Sequence, residues 1–210
     1  MKKTALLFIL AAGVLFAHAQ DDYNNDQVKT LFSKNRSNGF YGAFSLGYSQ
    51  LDGKDALVSG GRLAFIFDHS LAIGLGGYGF VNNLDYHLYY ENGPLDYTLA
   101  GGYGGLIIEP IVGGREPVHF SFPILVGLGG VALLEDYGPH SWEYNPFNDV
   151  DHDLFFVVEP AVELEANLTR WFRTAASISY RYTSKVNLFE TNEDVLRGLA
   201  FSLTFKFGKF

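Results

Sequence analysis

The chain has 210 residues, no cysteine, 24 glycines, 19 phenylalanines and 13 tyrosines, and its formal net charge is −8 at pH 7. The lack of cysteine excludes a disulfide framework, and the acidic balance argues against nucleic-acid binding, which needs clustered Lys and Arg. Many aromatic residues and glycines with few helix formers favour strands over helices, so the composition predicts an all-β protein.

Residues 1–19 have the three parts of a secretory signal peptide. Lys2 and Lys3 give a cationic start, an apolar run follows from Ala5 to Phe16, and Ala17-His18-Ala19 supplies the small residues that precede a cleavage site. The run is shorter than the roughly 20 residues that a membrane-spanning helix needs. We therefore expect cleavage after this segment, which changes the net charge to −10 by removing two lysines. An uncleaved interfacial anchor is the alternative.

Residues 20–38 are polar with little periodicity, and we expect them to be a flexible periplasmic segment before one domain over residues 39–210. That domain contains eight segments in which apolar side chains alternate with small or polar ones, the pattern of strands with two unlike faces. The segments cover about 40–50, 57–67, 71–82, 97–109, 120–134, 155–166, 172–182 and 199–207. The first has Phe40, Phe44, Leu46 and Tyr48 on one face and Tyr41, Ala43, Ser45, Gly47 and Ser49 on the other.

Two of the eight segments are less regular. Gly101 to Gly105 leave the register of the fourth segment open, because glycine has no side chain to mark a face. The fifth segment, Phe120–Leu134, is the most apolar part of the mature chain and contains Pro123. It is too short for a spanning helix, so it is predicted as a strand.

The sixth segment separates two faces most clearly. It alternates Phe156, Val158, Pro160, Val162, Leu164 and Ala166 with Phe155, Val157, Glu159, Ala161, Glu163 and Glu165. An eight-stranded barrel has an interior just wide enough for side chains, so the phenylalanine-rich faces would overpack it, whereas the Gly, Ala and Ser faces fit. Hydrocarbon also requires every backbone polar group to be paired. We therefore predict an eight-stranded antiparallel up-and-down transmembrane β-barrel with aromatic residues toward lipid; a soluble secreted barrel is the alternative.

Connection lengths support this assignment, because outer-membrane barrels alternate short periplasmic turns with longer extracellular loops. The predicted outer loops cover about 51–56, 82–96, 135–153 and 183–195, and the inner turns are Asp68-His69-Ser70, Gly113–Pro117 and Asn167–Arg170.

Several short motifs then carry a resemblance to a known family. They are Val157-Val158-Glu159-Pro160, Leu168-Thr169-Arg170-Trp171-Phe172-Arg173, Ser179-Tyr180-Arg181-Tyr182 and the end Leu203–Phe210. In this order and spacing they resemble the small outer-membrane β-barrel proteins of the OmpA/OmpX-like superfamily of Gram-negative bacteria. The resemblance implies an integral outer-membrane location and a terminal aromatic, here Phe210, that is read by the barrel-assembly machinery. Phe210 departs from the parity of Phe205 and Phe207, so either a bulge at Gly208 restores it or Phe207 is the last outward residue.

Acidic residues concentrate in the predicted outer loops. They are Asp52, Asp55, Asp85, Glu91, Asp96, Glu135, Asp136, Glu143, Asp149, Asp151, Asp153, Glu190, Glu193 and Asp194, against Lys54 and Lys185. We interpret them as a solvated, repulsive rim, with bridging of lipid phosphates by divalent cations as the alternative. Asn148 to Asp153 also place oxygen ligands at alternate positions, as a hard cation such as calcium prefers, but the Gly and Glu of an EF-hand loop are missing. We interpret the segment as a polar loop, with a divalent-cation site as the alternative, and predict no metal site and no cofactor.

The predicted lumen holds charged side chains of both signs. They are Arg62, Glu159, Glu163, Arg173, Arg181 and Lys206, with Tyr41 and, if the fourth segment faces inward there, Tyr103. Opposite charges in a narrow space with little water must pair, because an isolated buried ion is unstable. We interpret the set as a plug of ion pairs; an ion or proton path is the alternative.

No catalytic residues are predicted. His69 and Ser70 are adjacent and would point to opposite faces, while His140-Ser141 and Asp85 with His87 have no evident third partner. We expect a non-enzymatic surface barrel that contacts outer-membrane lipid and lipopolysaccharide and uses its loops for surface interaction, adhesion or envelope stabilisation. The loop aromatics are candidate anchors for a surface protein partner: Tyr86, Tyr89, Tyr90, Trp142, Tyr144 and Phe147. An outer-leaflet lipid-modifying enzyme or a small-solute or ion transporter of the same fold is the alternative.

Overall fold

The computed structural model describes residues 38–51, 53–82, 88–90, 93–136, 149–188 and 191–210. The predicted signal peptide and nearly all of the segment 20–38 lie outside the described residues. The same holds for the loop residues Tyr86, Trp142, Tyr144 and Phe147 and for His87, His140 and Asn148, whose assignments stay predictions.

Ten strands make up the described chain. They are β1 (Asn38–Leu51), β2 (Lys54–Phe67), β3 (Leu71–Asn82), β4 (Leu88–Tyr90), β5 (Gly93–Val112), β6 (Val118–Ser121), β7 (Ile124–Asp136), β8 (Asp149–Asn167), β9 (Phe172–Thr183) and β10 (Gly198–Lys209). Sequential antiparallel pairing ends with β10 on β1, from Phe40 opposite Lys209 to Ser49 opposite Ala200, and this pairing closes the sheet. Because β6 and β7 both lie between β5 and β8, they form one stave. The short strand β4 pairs only with β5 and is not part of the ring, so the barrel has eight staves. The predicted fold class is confirmed.

The stave predicted over 120–134 is interrupted at Phe122-Pro123. Proline has no N–H to donate to the ladder, which is why the regular pairing breaks here. Flanking bonds keep the stave in place: Phe122 N donates to the Pro110 carbonyl at 2.9 Å, and Ala161 N donates to the Pro123 carbonyl at 2.8 Å. The predicted facing survives the break, with Phe122 and Ile124 outward.

The predicted tight turn between β2 and β3 is confirmed. Asp68 and His69 have φ of 51° and 55°, as a two-residue type I′ turn requires, and Ser70 N donates to the Phe67 carbonyl at 3.1 Å. The Ser70 hydroxyl donates to the same carbonyl, so both His69 and Ser70 belong to this turn.

The two faces of the wall are as predicted. Large apolar side chains point outward, among them Leu63 at 71% and Phe65 at 67% exposure, while their strand neighbours Arg62 and Ala64 are buried inside. A soluble barrel has the opposite arrangement, since exposed apolar patches of this extent are not stable in water. This barrel therefore crosses a membrane. No helix in the described part of the chain is long and apolar enough to do so.

The predicted outer loop 183–195 does not stay outside as a whole. We call residues 184–197, between β9 and β10, the plug loop. Its Val186, Leu188, Val195 and Leu196 are buried in the outer mouth, against side chains from the wall that include Leu51, Val58, Phe80, Leu99, Val131, Leu133, Phe155 and Val157. Glu193 and Asp194 remain exposed, as predicted. Burial of the four aliphatic side chains explains the inward fold of the loop, because removing apolar surface from water is favourable.

Candidate functional site: the barrel lumen

The inner half of the lumen is filled by six charged side chains that we call the ion cluster. They are Arg62, Glu109, Glu163, Glu165, Arg173 and Lys206, contributed by β2, β5, β8, β9 and β10. Each occupies an inward position of a strand whose neighbouring residues face lipid. All six are buried. The period-two pattern therefore brings residues far apart in sequence to one level of the barrel.

Lys206 lies at the centre of the ion cluster. Its Nζ is 2.6 Å from Glu109 Oε1, 3.0 Å from Glu163 Oε2 and 2.5 Å from Glu165 Oε1. Three carboxylates at this spacing could in principle hold a metal ion, but the ammonium group already occupies the space between them. The donor set here fits a lysine and not a divalent cation.

The carboxylates of the ion cluster also contact its two arginines and the neighbouring hydroxyls of Tyr41 and Ser121. Arg62 Nη2 donates to both oxygens of Glu163, at 2.8 and 2.7 Å, and Tyr41 OH donates to Glu109. Arg173 Nη1 is 3.6 Å from Glu165 Oε2, and Ser121 Oγ donates to Glu165 Oε1 at 2.5 Å. Three basic and three acidic side chains balance in charge, which meets the requirement that buried charges be paired, while Arg62 Nε, Arg173 Nε and Glu165 Oε2 make no hydrogen bond to the described residues.

A fourth pair of charges lies further out and is bridged by a tyrosine. Glu159 accepts hydrogen bonds from Tyr103 OH at 2.5 Å and from Ser179 Oγ at 2.6 Å. The Arg181 guanidinium lies 5.5 Å from the centre of the Tyr103 ring and donates from Nε to the Leu196 carbonyl at 2.7 Å. Arg181 therefore links the lumen charges to the plug loop.

A small cavity with both apolar and polar walls lies in the lumen, between the ion cluster and the apolar side chains of the outer mouth. Its volume is about 40 Å³, and its walls include Ser45, Ser177, Ser179 and Ser202 together with Glu159 and Arg62. One water needs roughly 10–15 Å³ of such space, so the cavity suits a few water molecules and no larger solute.

All eight lumen residues predicted from the pattern lie in the interior, namely Arg62, Glu159, Glu163, Arg173, Arg181, Lys206, Tyr41 and Tyr103. Glu165 was assigned to the inward face but not to the ion pairs. Glu109 and His119 were missed. The sequence has no signal for the facing of Glu109, because Leu106, Ile107 and Ile108 are all apolar, and only the structure shows Ile107 inward between two outward neighbours. His119 Nε2 lies 3.2 Å from Glu165 Oε2 at the edge of the ion cluster.

Phe210 points into the barrel. The β1–β10 register runs without a shift through Tyr41 opposite Gly208, so no bulge restores an outward position. The Phe210 ring stacks on Tyr41 at 6.1 Å between centroids, and the Arg173 guanidinium lies 3.9 Å from its centre. The second of the two predicted alternatives is correct: Phe207 is the last outward aromatic, stacked on Phe172 at 4.8 Å. Phe210 instead covers the inner end of the ion cluster.

The segment Asn148–Asp153, in which oxygen ligands alternate along the chain, is described from Asp149 onward. Asp149 to Asp153 belong to strand β8 and not to a loop. Both oxygens of Asp153 accept backbone N–H groups, Oδ1 from Leu154 and Oδ2 from Asn187, each at 2.8 Å. These two donors lower the pKa of Asp153 below its usual value of 3.8. Asp153 therefore ties the plug loop to β8.

We expect Asp153 to make the plug loop acid-sensitive. Because the folded-state pKa is lowered, the stabilisation is fully present above the ordinary value of 3.8 and is lost as the pH falls through the lowered value. Pepsin cleavage between β9 and β10 should therefore rise when the pH is taken from about 4 to about 2. Asp153→Asn, which keeps one acceptor, should show raised cleavage already at the higher pH and little further change. Equal cleavage of both proteins at the two pH values would contradict this role.

No protein-family model matches the sequence, and no curated protein matches it. Solved structures do match. Neisserial surface protein A is 14% identical over 82% of this chain and 97% of its own, with a TM-score of 0.56. Ail, the attachment invasion locus protein of Yersinia pestis, is 12% identical over 81% of this chain and 97% of its own, with a TM-score of 0.46. The N-terminal β-barrel domain of Pseudomonas aeruginosa OprF is 14% identical over 82% of this chain and 98% of its own, with a TM-score of 0.42.

The similarity to Neisserial surface protein A shows that this chain shares its fold and covers nearly all of it. The predicted resemblance to small outer-membrane barrels is thus confirmed at the level of fold. At this identity the similarity defines the architecture and leaves activity and partners to be argued from the chain's own residues.

Proposed function

We propose that this chain, which has the fold of Neisserial surface protein A, is an integral and non-enzymatic barrel of a bacterial outer membrane. In this proposal the barrel is closed to solutes and presents its outer loops at the cell surface. The outward belt of apolar side chains supports the location, because only hydrocarbon makes such a surface stable.

Closure is supported by two barriers in series along the lumen. The ion cluster fills the inner half with paired charges, and the four aliphatic side chains of the plug loop fill the outer mouth. A permeating ion would have to displace Lys206 from three carboxylates and then pass a dry apolar layer. This pair of barriers is the observation that carries the proposal of a non-conducting barrel over the transporter alternative.

Strand lengths support a role for the loops on one side of the mouth. β5 and β8 have 20 and 19 residues, whereas β9 and β10 have 12 each, so the first two extend beyond the mouth. At about 3.3 Å per residue, seven extra residues project roughly 23 Å along the strand. Residues 137–148 connect β7 to β8 in the sequence, and their Trp142, Tyr144 and Phe147 are candidate contact residues for a surface protein partner.

Two further partners complete the proposal. Outer-membrane lipid and lipopolysaccharide would surround the apolar belt. The barrel-assembly machinery would engage the C-terminal strand β10, whose last outward aromatic is Phe207.

We expect the folded protein to give no steady conductance in planar lipid bilayers. In cells, replacing residues 137–148 by a short Gly-Ser linker should abolish attachment to protein-coated wells, because it removes Trp142, Tyr144 and Phe147. Heat-modifiable gel migration should be unchanged, since the loop lies outside the staves. Gly53→Asn is the matched control in another outer turn, because Asn tolerates the positive φ of 74° at this position.

A steady large conductance would favour the transporter alternative. A loop variant that keeps full attachment would remove the role of this loop in adhesion, and a mass shift in the host's lipid A would favour the enzyme alternative.

A further inference from the structure

A cleft lies on the lipid-facing wall of the barrel, near the outer mouth, where the ends of β1 and β9 flank the start of β10. We call it the rim cleft; its volume is about 670 Å³. β10 begins at Gly198, whereas β1 and β9 continue to Leu51 and Thr183, so a notch is left between them. Gly198 adds no side chain to fill it. The volume is in the range of about 300–1,000 Å³ that is typical of small-molecule sites.

The inner part of the rim cleft is apolar. Leu199 and Phe201 form its floor, each 51% exposed, and the rings of Tyr48 and Tyr180 stand on either side. In the register of the wall Tyr48 is opposite Phe201, and Leu199 is opposite Tyr180. These four side chains face the hydrocarbon and offer a surface for an acyl chain.

The outer part of the rim cleft is polar and ordered. Tyr48 OH donates to Asp55 Oδ1 at 2.5 Å and accepts from Gln50 Nε2 at 3.2 Å. Arg197 donates from Nε to the Thr183 carbonyl at 2.9 Å, and its guanidinium lies 4.6 Å from the centre of the Tyr182 ring. The Gln50 amide, the Arg197 guanidinium and the Tyr48 hydroxyl are thereby held by contacts above the apolar floor.

The polar residues at the outer end of the rim cleft favour one class of lipid headgroup over another. An aromatic belt alone would account for the tyrosines, since Tyr is enriched at membrane interfaces. It does not account for a notch with fixed donors and acceptors at its outer end. The carboxylates of Asp55 and Asp194 at this end disfavour a headgroup that is only a phosphate, whereas sugar hydroxyls donate to carboxylates and accept from Arg and Gln.

We propose that the rim cleft binds a glycolipid of the surrounding leaflet, with its sugar between Gln50, Tyr182 and Arg197 and an acyl chain on Leu199 and Phe201. The proposal rests on the membrane location proposed above. It assigns a specific lipid site to a wall that otherwise has only general contact with the bilayer.

The test uses the full mature barrel in a detergent without sugar, lauryldimethylamine oxide, and two probes with identical acyl chains: diacylglucosylglycerol and phosphatidylglycerol. Native mass spectrometry counts the lipid that each protein retains. We expect one glucolipid per barrel and an apparent Kd at least about tenfold lower than for phosphatidylglycerol, equivalent to about 1.4 kcal/mol. Arg197→Ala should remove this preference, and Leu199→Trp should block retention by filling the floor.

Phe156→Ala is the matched control. Phe156 is an outward aromatic on β8, two residues from Val158, and Val158 lies opposite Tyr182. Phe156 does not line the rim cleft. This variant should retain the glucolipid as the wild type does. Equal retention by Leu199→Trp would overturn the proposal, and so would tighter binding of phosphatidylglycerol. Insertion into liposomes distinguishes failure of this proposal from failure of the proposed membrane location. A barrel that does not insert overturns both, whereas a barrel that inserts but does not prefer the glucolipid overturns only the glycolipid site in the rim cleft.

Discussion

Lys206→Met is expected to destabilise the folded barrel by about 3–5 kcal/mol, the range for breaking a buried ion pair by removing one partner. The substitution leaves Glu109, Glu163 and Glu165 facing one another with only Arg62 and Arg173 to balance them. Methionine has nearly the volume of the lysine stem, so the loss reports charge and not packing. Carboxylates without a partner in a space from which water is largely excluded are strongly unfavourable.

Urea unfolding in lipid vesicles, followed by heat-modifiable gel migration, measures this loss. Lys209→Met is the matched control, because Lys209 is exposed on the same strand and pairs with Phe40 only through the backbone. The control should change stability by less than about 0.5 kcal/mol, as surface substitutions usually do. An equal effect of the two substitutions would show that the ion cluster does not stabilise the barrel.

Leu196→Asp is expected to release the plug loop from the outer mouth while the staves stay paired. Leu196 is 0% exposed, and a carboxylate among the aliphatic side chains around it would be buried without a partner. The substitution loses roughly 1.5–3 kcal/mol of apolar burial and adds the unfavourable burial of a charge. The described part of the loop is otherwise held by hydrogen bonds. Arg181 donates to the Leu196 carbonyl, Asp153 accepts from Asn187 N, and Ser184 and Arg197 bond to the backbone near the two ends of the loop.

Digestion with a Glu-specific protease measures the release, because Glu193 lies within the plug loop. Cleavage should be slow in the wild type and at least about tenfold faster in the variant, as expected for a local opening made easier by more than 1.4 kcal/mol. Leu196→Met, which conserves volume, should remain protected. Protection of Leu196→Asp would mean that the four aliphatic side chains do not hold the loop. A steady conductance in this variant would mean that the ion cluster alone does not close the lumen.

Stave positions and facing could be predicted from the sequence because the two faces differ in size as well as polarity. On β8, for example, Phe156, Val158 and Leu164 share one face and Glu163 and Glu165 share the other. Only the arrangement with the carboxylates inward fits the narrow lumen of an eight-stranded barrel. Glu109 could not be placed with confidence because the preceding glycines carry no side chain to show which face is which.

The plug loop could not be predicted because its signal is not periodic. Val186, Leu188, Val195 and Leu196 are separated by acidic residues that indicate exposure, and only the mouth formed by distant strands shows where the aliphatic side chains go. The rim cleft was likewise hidden, since it depends on β10 starting at Gly198 while its neighbours continue. Both features depend on packing between residues that are distant in the sequence, and a local sequence pattern does not show such packing.

The sequence separation of the ion cluster has a consequence for how the barrel forms. Arg62 meets Glu163 across 101 positions, and Lys206 meets Glu109 across 97. Lys206 is on β10, so the three acidic side chains lack their central counterion until β10 docks onto the rest of the sheet. A sheet that lacks β10 would thus have unpaired carboxylates within the bilayer, which is unfavourable. Neutralisation of these carboxylates by Lys206 would favour the final pairing step together with the backbone hydrogen bonds. Closure of the barrel and neutralisation of the acidic side chains in its lumen are therefore one event.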